Sequence, residues 1–268
     1  MGKIHTLYDG RHVIDFRSGN HTYNHDKRGV IPNATGVCKV MAKPHLIPWA
    51  AKVASEHWAE AIEPGESYDE IQLMKIFEDA KVAYDIYSGE RRGIGNVVHD
   101  WAEKMALWEM GKLNKPRIPV NPDAKKGCQA WKQWRDKHKV QWVCAERVAF
   151  NEDENYIGTI DGLALVDEVP RIIDYKTGKG IWPEAGIQCA AYQKAIALEL
   201  GSPWDEAERL VLHLNTKSGN CSEWDEDRIQ SKLTGGDIDK DYECFLGLLA
   251  GYNWIVSGPN KWSFLGKS

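Results

Sequence analysis

The chain has 268 residues and a formal net charge of −5, from 34 Lys and Arg against 39 Asp and Glu. That length suits one large domain or two small ones with a real core, and 43% hydrophobic against 27% charged residues excludes wholesale disorder. No run approaches the about 18 to 20 apolar residues of a membrane span. Met1 to Gly10 carry no apolar stretch behind basic residues, so no secretory signal is expected and the expected location is the cytoplasm.

In chain order, the first thirty residues read as short strands joined by polar turns. His12 to Phe16 and His21 to Tyr23 flank a turn at Arg17 to Asn20, and Ile31-Pro32-Asn33 closes the hairpin-like piece. A helix is expected from Pro48 to Ala61, with Trp49, Val53, Trp58 and Ile62 as apolar stations. A second runs from Ser67 to Tyr87, where Ser67 and Glu70 have the spacing of a capping box. A third runs from about Arg91 to Met110 and stops at Gly111. The Pro-rich stretch Lys115 to Pro122 reads as a connector, and Asp123 to Lys139 as a helix. Strands follow at Gln141–Phe150, Tyr156–Val166 and Arg171–Tyr175. Pro183 and Gly201 bracket a helix, Leu210 to Leu214 reads as a strand, and Tyr242 to Val256 as a last helix. The order implies an α/β or α+β domain over residues 1–268. Residues 1–90 form its N-terminal hairpin and helical elaboration, 91–215 its core, and 216–268 its C-terminal piece.

Charge is unevenly spread. Gly111 to Lys139 carry nine Lys and Arg against Asp123 and Asp136, a net +7, which leaves −12 for the rest. Such a stripe is either a solvated helix face or a footprint for a polyanion. Trp131 and Trp134 lie inside it and suit either core packing or stacking on unpaired bases. The six cysteines contain no Cys-x-x-Cys, which argues against a zinc ribbon.

The informative stretch is Gly158-Thr159-Ile160-Asp161-Gly162 followed by Ile172-Ile173-Asp174-Tyr175-Lys176-Thr177-Gly178. Asp174 and Lys176 are two apart, so on a strand they face the same way. Charges at the rim of an apolar strand are costly unless paired or holding a metal. Two carboxylates and a lysine suit phosphodiester hydrolysis. Hard oxygen donors take Mg²⁺ or Mn²⁺, the ion activates a water, and the lysine orients it and stabilises developing charge. Asp-x-Lys by itself also describes an ion pair on an edge strand.

Together these residues resemble the core motif of the PD-(D/E)XK nucleases, in their RecB-like exonuclease branch. Gly95-Asn96-Val97-Val98-His99 is similar to the branch's Gly-x-x-x-His helix, with Glu103 one turn later. Glu146 lies on the preceding strand, and Gln188-Cys189-Ala190-Ala191-Tyr192 is similar to the Gln-x-x-x-Tyr motif. Asn33-Ala34-Thr35 and the Lys43-Pro44 to Trp49-Ala50-Ala51 helix start resemble the N-terminal part of phage-encoded members.

The resemblance implies a restriction-endonuclease-like core, a mixed central sheet flanked by helices. It implies a stand-alone Mg²⁺-dependent deoxyribonuclease, with Mn²⁺ as a substitute, acting from DNA ends in phage or prophage recombination or repair. Asp161 would be the central metal-bridging carboxylate. Asp174 and the Tyr175 carbonyl would complete the metal shell, Lys176 would be the catalytic lysine, and His99 a further metal ligand. Gln188 and Tyr192 would meet the DNA backbone or brace the strand, with Thr177 and Glu103 in support. Glu146 would be an outer ligand or a partner of Arg147 or Lys176. No iron–sulfur cluster is expected, because Cys221 and Cys244 do not form the cysteine cluster of the relatives that hold one. A single-strand annealing or single-strand-binding protein is an expected class of partner. A structure-selective or restriction-type endonuclease, and a non-catalytic DNA-binding module, are the alternative uses of the same residues.

Overall fold

A computed structural model of the chain describes residues 2–19, 22–41, 43 and 46–257. Asn20, His21 and Pro44, which enter the expectations above, lie outside the described residues. The chain divides into two compact units, Met1–Met41 with Val97–Ser268, and Ala42–Asn96.

The larger unit begins with a four-stranded antiparallel meander, β1 (Lys3–Leu7), β2 (His12–Arg17), β3 (Thr22–His25) and β4 (Gly29–Ile31). The sequence reading had fewer strands here, because β1 is short and mostly exposed, with only Leu7 buried. A short helix α1 (Ala34–Cys38) follows, capped by the Asn33 side chain, which accepts from the Gly36 N–H at 2.7 Å.

The smaller unit holds α2 (Leu46–Ala61) and the first part of α3 (Glu70–Glu109). The Trp49 ring meets Tyr84 and Tyr87 edge-on at 5.1 and 5.7 Å between centroids. The two helices expected over Ser67–Tyr87 and Arg91–Met110 are one helix of 40 residues. Gly89 and Gly93 do not break it, since a helical glycine costs only about 1 kcal/mol against alanine. The capping box is also displaced. Asp69 and Gln72, not Ser67 and Glu70, exchange backbone N–H to side-chain hydrogen bonds at 2.8 and 2.9 Å.

In the larger unit α4 (Pro122–Lys137) leads to the main sheet: β5 (Val140–Asn151), β6 (Tyr156–Val166), β7 (Val169–Lys176), then α5 (Pro183–Leu200), β8 (Glu208–Leu214) and β9 (Cys221–Trp224). The strands lie in sequence order. Only β7 and β8 pair in parallel, so the sheet is mixed. A parallel pair needs a crossover, and α5 supplies it. The chain closes with α6 (Glu226–Ile229), a π-turn and α7 (Ile238–Ser257). The fold is α/β, as expected. Among the described residues no helix is long and apolar enough to cross a membrane.

Side chains of α1, α5 and α7 (Val37, Ile187, Ala191, Ile196, Phe245, Leu249) pack with Tyr156, Ile160, Leu163 and Ile172 of the sheet. A separate tryptophan cluster joins Trp101 of α3, Trp131 and Trp134 of α4 and Trp142 of β5. Trp131 and Trp134 are fully buried. Stacking on bases is therefore not open to them, and the aromatic residues of the basic stripe are core. Arg209 of β8 is also fully buried, with Glu226 of α6 on its Nε and Nη2 and Asp241 of α7 on its Nη1.

One buried polar chain carries a pH prediction. His25 Nδ1 lies 2.9 and 3.2 Å from the backbone N–H groups of Lys27 and Arg28 and 2.9 Å from Asp26 Oδ1, and its Nε2 meets His12 Nδ1 at 2.8 Å. His12 Nε2 then donates to Glu152 at 2.7 Å. Burial holds His25 below its ordinary value of 6.5, against the pull of Asp26 and helped by His12, Arg28 and Lys27. The unfolded chain thus binds more protons. The stability His25 contributes is present above 6.5 and lost as pH falls toward the folded value. Urea midpoints should drop between pH 7.5 and pH 5, and less in His25→Gln. Equal drops in both proteins would clear His25 of the effect.

Candidate active site

The register of the main sheet builds the site. Ala145↔Gly162 and Arg147↔Ile160 place Glu146 opposite Asp161, and Gly162↔Ile173 places Asp174 as the next residue along. Glu146, Asp161 and Asp174 therefore occupy one rung across β5, β6 and β7. Neither contact on this rung closes as a backbone pair. Glu146 has a left-handed backbone, φ +50°, uncommon for a residue other than glycine. Beyond Gly162↔Ile173, β7 parts from β6 but stays paired with β8 as far as Lys176↔His213. The Tyr175 N–H, released from β6, donates to Asp161 Oδ2 at 2.6 Å.

Side chains from two helices close on this opening. His99 of α3 brings Nδ1 to 3.2 Å from Asp161 Oδ1, and its ring meets the Tyr175 ring edge-on at 5.7 Å. The Tyr175 hydroxyl accepts from Trp131 Nε1 at 3.1 Å, which sends that side chain into the tryptophan cluster. Asp174 and Lys176 alternate with Tyr175 along the strand. Lys176 Nζ pairs with Asp174 Oδ2 at 2.5 Å and donates to Gln188 Oε1 of α5 at 3.3 Å. Gln188 Nε2 donates to the Tyr192 hydroxyl at 2.5 Å and to Thr35 Oγ1 at 2.8 Å. Gly158 is needed for this packing, since a Cβ there would stand 2.3 Å from the Tyr192 ring.

Electrostatics follow from burial and crowding. Burial alone would raise Asp161, but His99, Lys176 and the Tyr175 N–H together hold it below the usual carboxylate range. Burial raises Asp174, and Lys176 offsets this only in part while Asp161 adds to it. Lys176 stays firmly protonated, because Asp174 and Asp161 outweigh the effect of burial. Asp161 likewise keeps His99 above its usual value despite burial. Glu146 is pushed up to about 7 by burial, then by Asp161 and Glu103. Glu103 is itself raised, mainly by burial.

Asp161, Asp174, Tyr175, Lys176, His99, Gln188 and Tyr192 thus come together as the sequence suggests. Gln188 and Tyr192 are 6% and 2% exposed, so they brace the strand and are not free to meet DNA. Glu146 lies at the site but pairs with neither expected partner: Arg147 reaches Glu199 at 2.9 Å, and Lys176 is taken by Asp174. Thr177 is half-buried and joins none of these hydrogen bonds. Sequence reasoning assigned no role to Thr35 or His213, which donates from Nε2 to the Gly178 carbonyl at 2.8 Å. The Asn33 cap was the available signal for Thr35. For His213 there was none.

The donor set suits a hard divalent cation. Three carboxylates on one rung repel unless a cation offsets them, and Asp161, Asp174, Glu146 and the Tyr175 carbonyl offer the oxygen donors Mg²⁺ prefers. Among the described residues no three such side chains already converge as a metal cluster. Asp161 is instead engaged by His99 and the Tyr175 N–H, and Asp174 by Lys176. Set against models of protein families and against curated proteins, the chain finds no match.

Proposed function

We propose that the chain is a metal-dependent deoxyribonuclease of the PD-(D/E)XK type, in the RecB-like branch, that degrades DNA from its ends. The observation that carries the reading is the meeting of Asp161, Asp174 and Lys176 where β6 and β7 part, with His99 against Asp161. A module that only bound DNA would have no use for a buried Asp174 beside a second, mostly covered carboxylate and a half-buried lysine, a grouping that is costly to fold.

Asp161, Asp174, the Tyr175 carbonyl and His99 would hold Mg²⁺, with Mn²⁺ as a substitute and Glu146 as an outer partner. Such an ion would supply Lewis acidity, polarising the phosphate and lowering the pKa of a water. Lys176 keeps its proton and so acts as a fixed positive charge, orienting the water and stabilising the charge that builds on the phosphate oxygens. Asp174 and Gln188 hold that ammonium in place. Water oxygen bonds to phosphorus, the bond to the 3′ oxygen breaks, and the proton the water gives up ends on that oxygen, leaving a 3′ hydroxyl and a 5′-phosphate. A phage or prophage recombination setting fits this reading, with a single-strand annealing or single-strand-binding protein as partner.

The test uses end-labelled linear and circular DNA, single- and double-stranded, with Mg²⁺, Mn²⁺ or EDTA. Loss of linear but not circular DNA, abolished by EDTA, is the expected result. Cleavage of circles would replace the exonuclease by an endonuclease on the same site. No cleavage with any substrate and metal would leave the DNA-binding module.

A further inference from the structure

Gln188 can turn its amide either way round, and Lys176 needs one way only. The ammonium has donors and no acceptor, so it must face the carbonyl oxygen of the amide. The opposite end of the amide carries two N–H groups, and both are used, one by Tyr192 and one by Thr35. If that end lost its acceptors, the amide could turn and set its NH₂ group against the ammonium.

The two acceptors differ in kind. Tyr192 is buried on the same helix as Gln188, four residues on, and moves with it. Thr35 is an exposed residue whose hydroxyl reaches inward to a buried amide, and it comes from a separate element. Its position is anchored independently of α5 as well. The Ile157 N–H donates to the Pro32 carbonyl at 2.9 Å, Asn33 bridges Ile157, and Asn33 caps α1. Ile157 lies on β6, the strand that carries Asp161. A rigid path therefore runs from β6 through Pro32, Asn33 and Thr35 to Gln188 and ends at the Lys176 ammonium.

We infer that Thr35 is a positioning residue for the reaction: its hydroxyl fixes the amide of Gln188, and Gln188 thereby aims Lys176. The inference rests on the nuclease reading. Thr35 touches neither carboxylate, so its effect falls on the rate of the chemical step and not on substrate affinity. Serine keeps the hydroxyl and valine keeps the shape without it.

The experiment measures kcat and KM on linear DNA for the parent, Thr35→Val, Thr35→Ser, Gln188→Ala and the Thr35→Val/Gln188→Ala pair, with thermal unfolding of each. Thr35→Val should lower kcat about tenfold, as expected for one lost hydrogen bond to the relay, with KM and unfolding temperature unchanged. Thr35→Ser should restore the rate. In the Gln188→Ala background Thr35→Val should add nothing, because the two act in series. A full tenfold loss in that background, a loss confined to KM, or no loss in the parent would each overturn the inference while leaving the nuclease reading intact. A parent without nuclease activity would remove the reading itself, and the inference with it.

Discussion

On the proposed nuclease reading, replacing Lys176 with alanine is expected to lower DNA cleavage by about 10²–10³-fold, the effect of removing one fixed charge stabiliser. The side chain forms an ion pair with Asp174 at 2.5 Å and donates to Gln188 at 3.3 Å. Without the ammonium, Asp174 loses the main group that opposes its burial and takes up a proton more readily. That proton limits the cost to folding, so circular dichroism should report a native fold. Lys176→Gln, which keeps a hydrogen-bonding chain without the charge, should be nearly as inactive. Single-turnover cleavage at saturating Mg²⁺ makes the comparison, and a Lys176→Ala protein that cuts at the parental rate would place the site elsewhere.

The largest expected effect on stability is at Arg209. This side chain is fully enclosed, and Glu226 and Asp241, its two carboxylate partners, are themselves nearly so. Its Nη1 also donates to the Gly186 carbonyl at 3.2 Å. One guanidinium therefore ties β8 to α5, α6 and α7. Arg209→Ala leaves two buried carboxylates without a counter-charge and should cost about 3–5 kcal/mol in urea unfolding. Arg209→Met combined with Glu226→Gln and Asp241→Asn should recover much of that loss, since the uncompensated charge is gone. A loss below about 1 kcal/mol for Arg209→Ala would mean that water reaches the carboxylates.

The parts of the fold that the sequence carries openly are those with local signals. β6 is bounded as expected at Tyr156 and Val166, and α5 begins at Pro183 and is capped by Gly201, whose φ of +63° is a conformation that favours glycine. Asp174 and Lys176 share a strand face because strands alternate, and that needs only their spacing. What stayed hidden depends on register. Trp142 and Cys144 flank an irregularity in the pairing of β5 with β6, and it is this shift that brings Glu146 opposite Asp161. No residue type announces such a bulge, nor the left-handed turn at Glu146. The run-on of α3 through Gly89 and Gly93 was missed for the opposite reason. Glycine is a strong local signal, and here forty residues of helix override it.

The meander β1–β4 has a consequence for how the chain assembles. Its apolar side chains, Leu7, Tyr8, Ile14, Tyr23 and Ile31, cluster with Val148, Phe150 and Ile157, which come more than a hundred residues later. During synthesis the first forty residues leave the ribosome with half a core. Their partner strands follow seconds afterward, at about 5–20 residues per second. Until β5 and β6 arrive, the meander exposes an apolar face that a chaperone or another nascent chain can bind. The N-terminal segment made alone should thus be insoluble or unfolded.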